Sequence, residues 1–313
     1  MKIGFSPCVV LVCAAFTLMT RPSAQADTFG GGTTNEFNVD FVSISQTNNL
    51  ADTTGYGAVP YNYRAGTYEI SQLQITKATQ IGMANVSAGA WTGSQPAANM
   101  SWYEAAAFVN FLNTNSGKTA AYNLTFTTNW SMALWSSEQA WTAGGTNLYR
   151  NKDAYYFLPS ENEWYKAAYY NAAGTNYFLY PTTSSSVPTA VGGGTNAGTA
   201  VYDRAASVPA TVDSAGGLSP YGTMGQGGNV FEWNESAFGG ANSSASDVRA
   251  RRGGAWDSAG ISLRSSVRDG NVPTLEGNFI GFRVASVPEP STYALLLMAG
   301  AGWLLWKCRS RAL

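Results

Sequence analysis

Nine consecutive residues in the last third of the chain, Gly227-Gly228-Asn229-Val230-Phe231-Glu232-Trp233-Asn234-Glu235, constrain most what it can fold into. Paired glycines admit positive φ and close backbone approach, while Val230, Phe231 and Trp233 supply the bulky surface that strands bury. Glu232 stands between Phe231 and Trp233 and then needs a partner. Burying that carboxylate alone would cost on the order of several kcal/mol, so it needs an arginine, hydrogen-bond donors or a cation. Arg249, Arg251 and Arg252 lie just downstream as partners. The stretch is expected to form a short strand at the centre of one domain.

The remaining composition narrows the function classes. The chain has 313 residues, 45% of them apolar, enough for one large or two small domains with a substantial core. Only 12% are charged and the formal net charge is -1, so there is no basic field for nucleic acid. Histidine is absent, which removes Ser-His-Asp and Cys-His catalysis and histidine-bound metals. The cysteines are Cys8, Cys13 and Cys308, all in terminal segments, so the body between them carries no thiol.

Both ends carry targeting patterns. Residues 1–26 combine Lys2, an apolar run from Val9 to Leu18 and the small-residue site Ala24-Gln25-Ala26, the pattern of a secretory signal peptide. The apolar run is shorter than the roughly 20 residues a membrane span needs, which disfavours a permanent anchor. The mature chain is expected to start at Asp27, with one domain over 27–286. Residues 287–313 run from Val287-Pro288-Glu289-Pro290 through the apolar stretch Ala294 to Trp306 to Lys307, Arg309 and Arg311. A short apolar run with a basic end suits a transient membrane anchor whose terminus stays in the cytoplasm.

Between the ends, Phe37 to Phe41 alternates like a half-buried strand, and Thr67 to Ile75 offers a second extended segment. Ser101-Trp102-Tyr103-Glu104 and Ser160-Glu161-Asn162-Glu163 are capping boxes, predicting helices to about Leu112 and Asn171. The segment 123–147 carries Trp130, Trp135 and Trp141 among small polar residues and has no clear pattern, as an inserted loop would. Residues 173–221, rich in Gly, Thr, Ser, Ala and Pro, are expected to be irregular surface loop. Strands are expected at 250–256 and 278–285.

The C-terminal order of motif, apolar run and basic end resembles a PEP-CTERM sorting signal, with Pro288-Glu289-Pro290 as its motif. That resemblance implies an exosortase-type sorting protease as partner, in a bacterium making extracellular polysaccharide. The body resembles the formylglycine-generating enzyme (sulfatase-modifying factor) family through five blocks in order: Asn99-Met100-Ser101-Trp102-Tyr103-Glu104-Ala105, Phe157-Leu158-Pro159-Ser160-Glu161-Asn162-Glu163-Trp164, Gly228-Asn229-Val230-Phe231-Glu232-Trp233, Arg252-Gly253-Gly254-Ala255-Trp256 and Gly281-Phe282-Arg283-Val284. It implies an α+β, C-type-lectin-like fold with little regular secondary structure and long loops. Enzymes of the family hold copper(I) with two cysteines shortly after the Arg-Gly-Gly block. Here that region reads Asp257-Ser258-Ala259-Gly260-Ile261-Ser262-Leu263-Arg264, without a thiolate for a soft metal, so copper is not expected. The family's structural calcium would be held by Gly228, Val230 and Glu232, with Gly225 where an upstream oxygen ligand usually stands.

Several residues then have a plain role and a functional one. Glu161 and Glu163 could serve as the carboxylate pair of a glycoside hydrolase, but both fall in a first helical turn, where they complement the helix dipole, and Glu163 completes a capping box. Arg251, Arg252 and Arg283 fit structural pairing with Glu232 and other buried carboxylates. Trp102, Trp164, Trp233 and Trp256 lie in fold motifs, whereas Trp91, Trp130, Trp135 and Trp141 lie in loop-like stretches suited to stacking on sugar rings. By the resemblance, Trp256, Asp257, Ser258, Arg264 and Arg268 would line the family's groove. The expectation is an exported surface or matrix protein binding extracellular polysaccharide or peptide without catalysis. The alternative is an oxidase or other enzyme acting on exported sulfatases.

Overall fold

The computed structural model describes residues 25–87 and 89–288. In chain order the strands are β1 (Gln25–Phe29), β2 (Phe37–Ile44), β3 (Tyr63–Gly66), β4 (Asn123–Phe126), β5 (Trp130–Ala133), β6 (Ala140–Trp141), β7 (Asn147–Asn151), β8 (Tyr156–Phe157), β9 (Tyr170–Asn171), β10 (Asn176–Tyr177), β11 (Thr189–Ala190) and β12 (Thr199–Ala200). They continue with β13 (Phe231–Ala237), β14 (Arg249–Arg252), β15 (Asp269–Asn271), β16 (Ile280–Gly281) and β17 (Ala285–Ser286). The α-helices are α1 (Gln72–Gln80), α2 (Trp102–Asn115) and α3 (Glu161–Tyr169).

Two sheets organise these short pieces. The first has the order β1-β2-β3-β17-β8, all antiparallel, so the last strand of the domain is clasped between early ones. The second, β15-β14-β13-β16, places the glycine-flanked β13 centrally, antiparallel to β14 and parallel to β16. Gly228 leads into β13 with φ of +86°, and a Cβ there would lie 2.1 Å from the Val201 carbonyl oxygen. Only glycine fits this turn.

Each helix starts on a capping box: Ser71 with Gln74, Ser101 with Glu104 and Ser160 with Glu163. Helix α2 is buried on almost every side, so apolar residues surround it rather than forming one stripe. Phe108 meets Phe37 and Phe282 at ring-centroid distances of 6.3 and 5.6 Å, which ties α2 to the first sheet's β2 and to the chain leading into β17. Helix α1 corrects the expected extended segment at 67–75. Its only buried apolar side chains are Ile75 and Ala78, too sparse for a helical stripe, and the Ser71–Gln74 box sets the helix start instead.

The segment 123–147 is no bare loop. It folds as the β4–β5 hairpin and then β6, which pairs with β7. Residues 173–221 are mostly irregular, with two-residue strands and one 3₁₀ turn, as their composition predicts. Of the expected signal peptide, residues 1–24 lie outside the described residues, while Gln25 and Ala26 pair with Phe41 and Asp40 as the start of β1. The PEP-CTERM motif beyond Pro288 and its apolar run also lie outside them. Among the described residues no helix is long and apolar enough to cross a membrane.

Candidate functional site

At β13 the central carboxylate finds its partner. Arg283 Nη2 and Nε donate to the two oxygens of Glu232 at 2.5 Å each, and Trp164 Nε1 adds a third bond at 2.7 Å. Arg283, expected with Arg251 and Arg252 to make such a pair, takes Glu232, whereas the nearer candidates Arg249, Arg251 and Arg252 are engaged elsewhere. Arg252 stands opposite Glu232 in the β13/β14 register, yet its Nε turns to Glu161 at 2.7 Å because α3 packs over that side. Arg251 pairs with Asp269, and Arg249 bonds Tyr149 and lies over its ring. Arg283 also donates to the carbonyls of Gly66 and Met224 at 2.8 Å, so one guanidinium joins the first sheet to the second.

This geometry bears on the expected calcium residues. Both Glu232 oxygens face a guanidinium, and a dication added there would meet an existing positive charge at contact distance. Asn229 turns its amide to Glu69, whose carboxylate also accepts the Val230 N–H. Burial, and then repulsion from Glu232, hold Glu69 well above the usual carboxylate range. Gly228, Val230 and Glu232 as folded do not fit a calcium ion.

The N-terminus of α3 carries two further ionic clusters. Residues two apart on a helix point to different sides, and Glu161 and Glu163 do so here. Glu163 shares Arg150 with Glu235: Arg150 Nη2 lies 2.8 Å from Glu163 and 2.7 Å from Glu235, and all three side chains are buried. Tyr61 donates to Glu163, and Tyr122 and Asn147 donate to Glu235. Burial raises the pKa of Glu163, but Arg150 and the Ser160 N–H outweigh it and leave the group below its usual range. For Glu235 burial, joined by repulsion from Glu163, prevails over Arg150 and the pKa is raised. Glu161 is held instead by two cations, Arg252 and Arg268, each at 2.7 Å.

Above these clusters lies a groove. One end, of about 230 Å³, is walled by Tyr61, Trp141, Gly144 and Thr146 with Arg150 at its base. The other end, of about 480 Å³, is walled by Tyr56, Phe238, Glu161 and Arg268. Asn162, Ser236, Gly240 and Asn242 line both, so the two hollows adjoin across these residues. Ser236 Oγ accepts the Glu161 N–H at 2.9 Å, and Asn162 Oδ1 accepts the Gly57 N–H at 3.0 Å, which fixes both side chains at the rim of α3.

The five groove residues named from sequence are divided by the fold. Arg268 lines the groove just described. Trp256 instead lies half-buried, edge-on to Trp91 with ring centroids 6.1 Å apart. No hydrogen bond, ion pair or ring contact joins it to Arg268 among the described residues. Ser258 is tied to the turn at Asp203 and Arg204: its carbonyl accepts the Asp203 N–H at 2.8 Å, and its hydroxyl accepts the Ala255 N–H at 3.0 Å. Asp257 lies half-buried beside it, and half-buried Arg264 leaves its Nε without a partner. Of the loop tryptophans, Trp141 lines the groove and Trp130 lines a separate hollow of about 430 Å³ with Tyr103, Glu104 and Glu276. Trp135 donates to the Ala121 carbonyl instead. Tyr56, Tyr61, Arg150, Asn162, Ser236 and Asn242 escaped the sequence reading, because they come from five separate segments with no shared spacing.

Few helices, two irregular sheets and long loops define an α+β, C-type-lectin-like domain. The chain belongs to the family of the sulfatase-modifying factor enzyme 1-like domain, whose profile matches residues 19–287. No curated protein matches it. Solved structures share the fold at low identity. Treponema denticola variable protein 1 superposes with a TM-score of 0.57 at 21% identity, over 85% of this chain and 100% of that one. A protein solved as CarF gives 0.57 at 17%, over 80% and 99%. PvdO from Pseudomonas aeruginosa gives 0.52 at 16%, over 87% and 100%.

Proposed function

We propose that this chain is an exported, non-catalytic member of its family that binds a glycan in the groove above α3, at the bacterial surface or in its extracellular matrix. The composition of the groove carries the proposal. The rings of Tyr56, Tyr61, Trp141 and Phe238 share the lining with amide and hydroxyl groups at Asn162, Ser236, Asn242 and Thr146, the combination that a sugar ring with apolar faces and a polar edge requires. The charged groups lining it, Arg150, Glu161 and Arg268, are already in ion pairs, so none of these three stands free as acid, base or nucleophile. Export and sorting rest on the terminal patterns of the sequence, with an exosortase-type protease as partner.

Titration of the purified full chain with alginate and with a soluble β-glucan tests the glycan site. Saturable binding is expected for at least one polymer, weakened roughly tenfold or more by Trp141→Ala, since a stacked indole contributes on the order of 1 kcal/mol beyond its buried area. A urea midpoint confirms that the variant folds. Absence of saturable binding to either polymer would overturn the proposal, and so would formylglycine formation in a cysteine-containing sulfatase peptide.

A further inference from the structure

We propose that the Arg268 end of the groove takes the carboxylate of an acidic, uronate-bearing glycan. The proposal rests on the groove being a glycan site and specifies the ligand's charge. It starts from an imbalance. Among the described residues Glu161 is the only carboxylate lining either end of the groove, and it is shared by two guanidiniums, Arg252 and Arg268. The cluster therefore carries one positive charge more than it cancels.

That surplus is accessible at one place. Arg252 is buried, with Nε on Glu161 and Nη1 on the carbonyls of Ser265 and Val267. The Arg268 side chain is 24% exposed. Its Nε and Nη2 bond Glu161 at 2.8 and 2.7 Å, and Nη2 also bonds the Phe238 carbonyl at 2.7 Å. Nη1 has no hydrogen-bond partner among the described residues. The guanidinium lies 4.2 Å from the Phe238 ring centroid and 5.0 Å from that of Tyr56, which holds its plane and direction. A held guanidinium with Nη1 free can give a carboxylate a charge-assisted hydrogen bond from that one nitrogen.

A second donor lines the same end of the groove. Asn162 is exposed on the shared wall, and its Oδ1 accepts the Gly57 N–H, which turns Nδ2 away from that bond. The aliphatic residues in the lining are Ala58, Val59, Pro60, Ala143, Ala237 and Ala241, small side chains that offer little to seat the side chains of a peptide. An acidic sugar satisfies both the aromatic walls and the unbalanced charge.

The test compares three probes on the full chain: alginate, carboxyl-reduced alginate of the same length, and polyglutamate. Alginate is expected to bind at least tenfold more tightly than the reduced polymer and than polyglutamate, with affinity falling as salt rises. Arg268→Gln should bring alginate down to the level of the reduced polymer. Gly240→Asp provides a variant independent of the ion pair, because a Cβ at this exposed position meets nothing within 4 Å. It sets a carboxylate on the groove wall and should weaken alginate more than the reduced polymer. Equal binding of alginate and its reduced form would overturn the acidic-ligand proposal while leaving the glycan site standing. Polyglutamate binding as tightly as alginate would overturn it in favour of an acidic peptide, and failure of all three probes would overturn it too, with the glycan site then decided by the β-glucan titration.

Discussion

The two ionic clusters at the start of α3 are near mirror images in charge, and they differ in what encloses them. Around Arg150, two carboxylates share one guanidinium, and the net negative charge is sealed below the surface. Four neutral donors, Tyr61, Tyr122, Asn147 and the Ser160 N–H, complete its hydrogen bonds. Around Glu161, two guanidiniums share one carboxylate, and the net positive charge reaches the groove through Arg268. The sealed cluster holds α3 against β7 and β13. The open one leaves a charge and a donor unspent, which is what a binding site needs and a core does not.

The contrast can be broken most severely at Arg150. Arg150→Met leaves Glu163 and Glu235 buried without a cation, and urea denaturation should show a loss of about 3–5 kcal/mol. A smaller loss would mean that the carboxylates reach water. A pH series probes the same cluster from the other partner. The folded pKa of Glu235 is raised, so its contribution to stability is fully present below the unfolded value and is lost as pH rises through the folded one. Glu235→Gln removes this titration, so its stability relative to the parent should climb as pH is raised above about 4.5, the range of an ordinary glutamate. A parent–variant difference that stays flat with pH would contradict the raised pKa. The smallest effect is expected at the open cluster. Arg268→Gln leaves Arg252 on Glu161 and should cost no more than about 1 kcal/mol, as partly exposed pairs do. A loss comparable to that of Arg150→Met would make Arg268 a structural residue.

Local signals carried much of the fold. The capping boxes at Ser101 and Ser160 placed α2 and α3, and the glycine pair before Val230 located the central strand. Where the periodicity was thin the sequence said less. Helix α1 buries only two apolar side chains, and β4 to β7 are two to five residues long, shorter than a pattern needs to declare itself. The site was legible in fragments. Trp141 stood out as an indole in a polar stretch, and Arg268 through the family resemblance. Trp256, named with Arg268, lies instead beside Trp91, since chain proximity does not settle which side of an irregular sheet a residue joins.

What the sequence determined by itself was a demand: a carboxylate between Phe231 and Trp233 had to be paired, and a chain without histidine and with cysteines only in its end segments had to do without their chemistry. The sequence offered Arg251, Arg252 and Arg283 together for the buried carboxylates, and which arginine met each was decided by the tertiary structure. Glu232 took Arg283 from 51 residues away, and Glu163 and Glu235 took Arg150 from different elements. An ion pair depends on where two side chains arrive after the backbone has packed. Nothing local to a strand or helix encodes that meeting, and the groove exists only because α3, the β6–β7 hairpin and the turn after β13 arrive at the same place.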